Sequence, residues 1–190
     1  ISRPSVRTAL PTGRPRPAGR SLGGRAVAAR GAAGQPARPC ACAGVWLPCD
    51  LRDPAAVEAM LATAEAQAGP IGLAAHTAGV LALGPLLEMT AEDWRRVMAI
   101  NLDGSFYLLQ ALGRRLVQQP GAALVVVSSN AAGIPRLGMG AYCASKAALT
   151  MLTRCLGLEL AQQGLRCNVL APGSTLTPMQ TAMWSDDQGT

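Results

Sequence analysis

The sequence contains no run of about 18 apolar residues, the length a membrane-spanning helix needs, and its first 30 residues lack the apolar block of a secretory signal. A cytoplasmic protein without a membrane partner is therefore expected. Cysteine is present at 40, 42, 49, 143, 155 and 167, but never as a C-x-x-C pair, and three of the six lie in apolar periodic segments that suit small buried thiols. Neither a zinc site nor a disulfide framework is expected, and no metal is assigned. Acid is missing from residues 1–40, which carry eight arginines, whereas residues 41–190 carry nine basic and eleven acidic side chains. The net charge of +6 thus comes from one end of the chain and not from a folded face. No aromatic residue precedes Trp46 to stack on a base, so a nucleic-acid partner is not expected.

At 190 residues and 49% hydrophobic content, the chain can bury one sizeable core. Six prolines and six glycines accompany the arginines of residues 1–40, a composition that buries too little apolar surface to offset chain entropy. Residues 1–44 are accordingly expected to be disordered, and residues 45–190 to form the domain. From Val45 the pattern alternates. Strands are predicted at Val45 to Leu51, Ile71 to Ala75, Ala122 to Ser128 and Arg166 to Ala171. Helices are predicted at Pro54 to Ala68, behind an Asp53 N-cap, at Thr90 to Gln119 as one long or two abutting helices, and at Ala141 to Gln163. Apolar strands alternating with helices predict a doubly wound α/β fold with a parallel sheet.

Ligands of such sheets sit beyond the carboxyl ends of the strands. After the run ending at Val127 come Ser128, Ser129 and Asn130, and one predicted helix carries Tyr142 and Lys146 one turn apart on one face. A phenol is a poor base at neutral pH, and an ammonium one turn away is expected to favour the phenolate. Ser129 would then hold a substrate oxygen against Tyr142, and Asn101 would contact a water continuing a proton path to Lys146. Lys146 is the one lysine among seventeen basic residues and Tyr142 one of two tyrosines, so the pair is not a habit of the surface.

These residues resemble the short-chain dehydrogenase/reductase family, with motifs from Val45 to the end of the sequence. Ser129, Tyr142 and Lys146 match its catalytic triad and Asn101 its fourth catalytic residue. The resemblance implies a Rossmann-like fold that binds NAD. For the cofactor it implicates Asp50 and Leu51 at the adenine, the His76-Thr-Ala78-Gly79 element with histidine in place of asparagine, Tyr142 and Lys146, and Pro172, Gly173, Thr175 and Thr177 around the nicotinamide. The stretches Asn130 to Lys146 and Gly157 to Gln180 are most similar to the branch that oxidises a cyclic dihydrodiol carboxylate to a catechol acid for siderophores. That implies a small-molecule substrate and a homo-oligomer, a tetramer by analogy. Arg136, on a loop six residues before Tyr142, offers a fork for the carboxylate. Met179 and Gln180 would close over the ring.

The sequence departs from the family at its opening. Thr12, Gly13 and Gly19 fit the family's glycine loop, but Pro17 stands where a middle glycine belongs and Pro15 also removes a backbone donor. A strand and its acidic residue are missing over Gly34 to Cys40. Residues 1–44 are therefore also read as a frame-shifted remnant of the first βαβ unit, and the core as stopping before its last strand. Two other outcomes remain open at this point: a different activity within the family, or a non-catalytic remnant acting as an interaction module.

Overall fold

The computed structural model describes residues 46–173. The first helix, α1 (Pro54–Ala68), starts where Asp53 accepts from the N–H groups of Ala55 and Ala56 at 2.9 and 3.2 Å, with Pro54 in the first turn. It stops at Gly69, whose φ of 83° only glycine adopts at little cost and whose N–H returns to the Glu65 carbonyl at 2.8 Å. The chain then enters β1 (Leu73–His76), two residues later than the predicted strand begins, because Pro70 and Gly72 delay the ladder.

The long helical pattern resolves into α2 (Ala91–Met98), a π-helical turn (Ala99–Asp103) and α3 (Gly104–Leu116). Thr90 caps α2 by accepting from Asp93 N–H at 3.0 Å while its own hydroxyl donates to the Asp93 carboxylate at 3.0 Å, a variant of the capping box. Strand β2 (Ala123–Val127) follows, then a single 3₁₀ turn (Asn130–Ala132), helix α4 (Gly140–Leu160) and β3 (Arg166–Leu170).

The three strands form a parallel sheet in the order β1-β2-β3. His76 stands opposite Val126, and Val127 opposite Leu170, so the carboxyl ends of all three strands lie together. Helix α1 packs on α3, α3 on β1, and α4 on β3. Leu51, Val57, Leu61, Leu108, Leu112, Leu124, Val126 and Leu149 fill one apolar core. Arg115, only 19% exposed, ties α3 to α1 through Glu58 at 2.7 Å and Glu65 at 3.0 Å.

The predicted strand over Val45 to Leu51 is corrected: Trp46–Asp50 belongs to no strand, since a strand exists only by its ladder and no partner flanks this segment among the described residues. Leu51 nevertheless anchors it. A Cβ on Gly104 would lie 2.8 Å from Leu51 Cβ, so α3 can approach the segment only because position 104 lacks a side chain. No helix among the described residues is long and apolar enough to cross a membrane.

Candidate active site

The end of β2 delivers Ser128 and Ser129 to the amino-terminal half of α4. Ser128 is buried and locks the helix to the strand, donating to the Lys146 carbonyl at 3.1 Å and sharing a 2.6 Å hydrogen bond with Thr150. Ser129 caps the following 3₁₀ turn by accepting from Ala131 N–H at 3.2 Å. Its hydroxyl also lies toward the Tyr142 phenol and favours the phenolate. Tyr142 and Lys146 face inward from α4, 9% and 4% exposed. The ammonium donates to the Val127 carbonyl at 3.1 Å and lies 5.8 Å from the centre of the Tyr142 ring.

Glycine governs the approach of the ammonium to the end of β1. A Cβ at Gly79 would sit 3.2 Å from Lys146 Nζ and 3.4 Å from Asn101 Oδ1, closer than packed side chains tolerate without a shift. The wholly buried Asn101, in the π-turn, accepts from Val80 N–H at 2.7 Å and donates to the Val80 carbonyl at 2.9 Å and to Ser145 Oγ at 3.0 Å. Ser145 in turn donates to the Tyr142 carbonyl at 2.8 Å. Asn101 therefore couples the loop after β1 to α4, and π-turns recur at working sites because they turn backbone groups out of the regular ladder.

The electrostatics correct one expectation. Burial pushes the Tyr142 phenol above its ordinary value, and the contact that draws it back is the Ser129 hydroxyl, not Lys146. Lys146 is itself lowered to about 8 by burial, because the interior penalises its charged form. The ammonium still predominates at neutral pH. Both amide hydrogens of Asn101 are spent on Val80 and Ser145, so its side chain braces the site, and a contact with a relay water falls to its oxygens.

The structure defines the surroundings of three residues assigned to the cofactor. Leu51 is wholly buried in the core. Asp50 is engaged by Arg52, whose Nη2 lies 2.6 Å from Oδ2 and whose Nε adds further hydrogen bonds. The His76 ring does not open on the site; it is wholly buried, bonded to Ser105 Oγ at 2.7 Å, and pushed down to about 4 by burial and by the nearby Lys146 charge. Ala78 is buried beside it, while Gly79 is half-buried and the Pro172 carbonyl accepts from Asn130 N–H at 3.0 Å, joining the end of β3 to the site.

Arg136 is exposed on the loop before α4, with no ion-pair partner among the described residues. Thr12, Gly13, Gly19, Thr175, Thr177, Met179 and Gln180 lie outside the described residues.

Ser105 and Ser145 were missed in reading the sequence. Their signal was helical spacing, Ser105 four residues after Asn101 and Ser145 three after Tyr142, but serine at such spacing is commonplace without a known fold.

A serine hydroxyl on a buried phenol, with an ammonium one turn away at the end of a parallel sheet, is equipped to move one proton to or from a bound alcohol oxygen. The profile of the short chain dehydrogenase family matches residues 31–188. The chain belongs to that family. It is similar to the 2,3-dihydro-2,3-dihydroxybenzoate dehydrogenase of Bacillus subtilis (strain 168), at 42% identity over 142 residues, covering 75% of this chain and 54% of that protein. It is equally similar, at 42% over 138 residues, to the enzyme of the same name from Escherichia coli (strain K12), covering 73% of this chain and 56% of that one. In structure it matches a gluconate 5-dehydrogenase from Burkholderia cenocepacia J2315, solved in complex with NADP and tartrate, with a TM-score of 0.68 and 31% identity, over 72% of this chain and 54% of the other. The chain spans about half the length of the curated relatives it matches.

Proposed function

We propose that this short-chain dehydrogenase is an NAD-dependent oxidoreductase that converts 2,3-dihydro-2,3-dihydroxybenzoate to 2,3-dihydroxybenzoate in making catechol siderophores, in the cytoplasm. The observation that carries the chemistry is the single cluster of Ser129, Tyr142 and Lys146 at the end of β2. The relatives of that name carry the substrate.

The nicotinamide half of a dinucleotide suits the space at the ends of β1, β2 and β3. Gly173 leaves only Asn130 Nδ2 within 4 Å of where a Cβ would stand, and Gly79 lets Lys146 and Asn101 close on the end of β1. When bound, the cofactor supplies an acceptor for the hydride leaving the carbinol carbon. The rest falls to the chain. Ser129 holds the substrate oxygen by a hydrogen bond, Tyr142 Oη takes the hydroxyl proton, and the Lys146 ammonium stabilises the negative charge that the phenol oxygen bears before it does so. Thr12, Gly13 and Gly19 are assigned to the pyrophosphate, Asp50 and Leu51 to the adenine, Thr175 and Thr177 to the nicotinamide, and Met179 and Gln180 to the substrate ring. NAD over NADP is read from the family branch, and a comparison of kcat/KM with the two cofactors tests it.

A ring bearing one carboxylate suits the loops at the mouth. Gly84 N–H donates to the Gly138 carbonyl at 2.9 Å, tying two loops that expose Leu83, Leu87, Ile134 and Leu137 around the Arg136 cation. Arg136→Met is expected to raise KM for the carboxylated dihydrodiol about tenfold, the equivalent of one charge-assisted contact of roughly 1.5 kcal/mol. Turnover of a cyclic alcohol without the carboxylate should hardly change. Equal losses on the two substrates would place Arg136 in the scaffold and point to another activity of the family.

The homo-oligomer, a tetramer by analogy, is supported by the outer faces of α3 and α4. These expose Phe106, Met151 and Leu158 beside a groove lined by Leu109, Leu152 and Leu156. Sedimentation velocity is expected to show an assembly that Leu158→Glu dissociates, and a monomeric wild-type chain would refute it.

A further inference from the structure

Building on the reading that the residues around Tyr142 form the working site, we infer that His76 is a positioning residue, holding the π-turn that carries Asn101 through a two-bond relay across Ser105. The relay is fixed by counting hydrogens. Ser105 donates its one hydroxyl proton to the Asn101 carbonyl at 2.7 Å. The 2.7 Å contact between His76 and Ser105 must therefore take its proton from His76 Nε2. Nδ1 is then bare, and it is the one buried side-chain polar atom among the described residues without a hydrogen-bond partner.

All three residues are wholly buried, so no water competes for these bonds. The arrangement gives the histidine a task that packing alone does not explain. A ring kept only for its volume would leave Nδ1 desolvated for nothing, and a leucine would fill the space without that cost. What the ring adds is a donor at the end of β1, reaching the start of α3 where the helix departs from its regular hydrogen-bond spacing. The widened turn presents the Asn101 carbonyl to Ser105, and the same turn aims the Asn101 amide at Val80 and Ser145. Gly79, next to Val80, borders the Lys146 ammonium. His76 thus acts on the site through Ser105 and Asn101 and touches no substrate. The charge of Lys146 and the burial of the ring both keep the imidazole neutral, so Nδ1 carries no proton.

The test uses the full chain and exploits its single histidine. A ¹H–¹⁵N correlation of the imidazole at neutral pH is expected to show Nε2 protonated and Nδ1 bare, with the Nε2 signal displaced in Ser105→Ala. Backbone hydrogen exchange over residues 99–106 is expected to quicken about tenfold or more in His76→Leu, and to stay within about threefold of wild type in His76→Gln, whose amide reaches about as far as Nε2. In turnover, His76→Leu should lower kcat with little change in KM, and His76→Gln should restore it.

A protonated Nδ1, or equal exchange in the leucine and glutamine variants, would overturn the inference. If His76→Leu does not fold, the wild-type tautomer and the exchange of Ser105→Ala decide it in the same sense. Tautomer and exchange need no catalysis. A folded but inactive wild-type chain would count against the proposed activity alone, and an active chain with the wrong tautomer against this inference alone.

Discussion

Tyr142→Phe is expected to lower kcat for the dihydrodiol by about 10²- to 10⁴-fold, the range that a positioned acid or base contributes. The change removes one oxygen and leaves the ring in place between α4 and the end of β2, so the dinucleotide Kd should move by less than about twofold. The phenol oxygen is the atom that the Ser129 hydroxyl influences, and the residue is only 9% exposed. Absorbance of the reduced cofactor reads turnover, and calorimetric titration reads the Kd. Wild-type turnover in the phenylalanine variant would remove Tyr142 from the chemistry. A wild-type chain that neither turns over the dihydrodiol nor shifts its Tm with NAD would favour the interaction module.

Lys146→Met is expected to move activity and stability in opposite directions. Burial lowers the ammonium from 10.5 to about 8, so the unfolded chain binds a proton that the folded chain releases between those values. Stability from this group is therefore greatest above 10.5 and is lost as the pH falls through about 8. At neutral pH the folded chain bears a buried charge whose cost is roughly 3 kcal/mol. Methionine removes that cost but also the hydrogen bond to Val127, worth about 1 kcal/mol, leaving a net gain of about 2 kcal/mol. Urea denaturation at pH 7 should show the gain and, repeated at pH 10, a much smaller one. Turnover should fall about 10²-fold or more, because only the neutral Ser129 hydroxyl then faces the charge on the phenol oxygen. A variant that is both less stable at neutral pH and fully active would reject the assignment.

Burial works against the charge of Lys146. Three links in the sequence already singled it out: its rarity, its place four residues after a rare tyrosine, and a serine at a strand end. The helix boundaries were legible for similar reasons. Asp53 with Pro54, and Thr90 with Asp93, act through their immediate neighbours, and α1 starts and stops at the predicted residues. Strand positions were less sharp, since a strand is defined by a partner distant in the chain, and the Val45 to Leu51 pattern has none among the described residues.

What followed from the sequence by itself was the alternation of elements, the parallel α/β class and the choice of Ser129, Tyr142 and Lys146 as candidates, because each rests on local periodicity, capping or rarity. Only the tertiary structure decided how those side chains share their protons and charge. It placed the phenol under the influence of burial and Ser129, gave the Asn101 amide to Val80 and Ser145, and turned His76 away from the cleft toward Ser105. These depend on desolvation and on pairings between residues up to 44 positions apart, as Asn101 and Ser145 are, and neither has a signature in linear order.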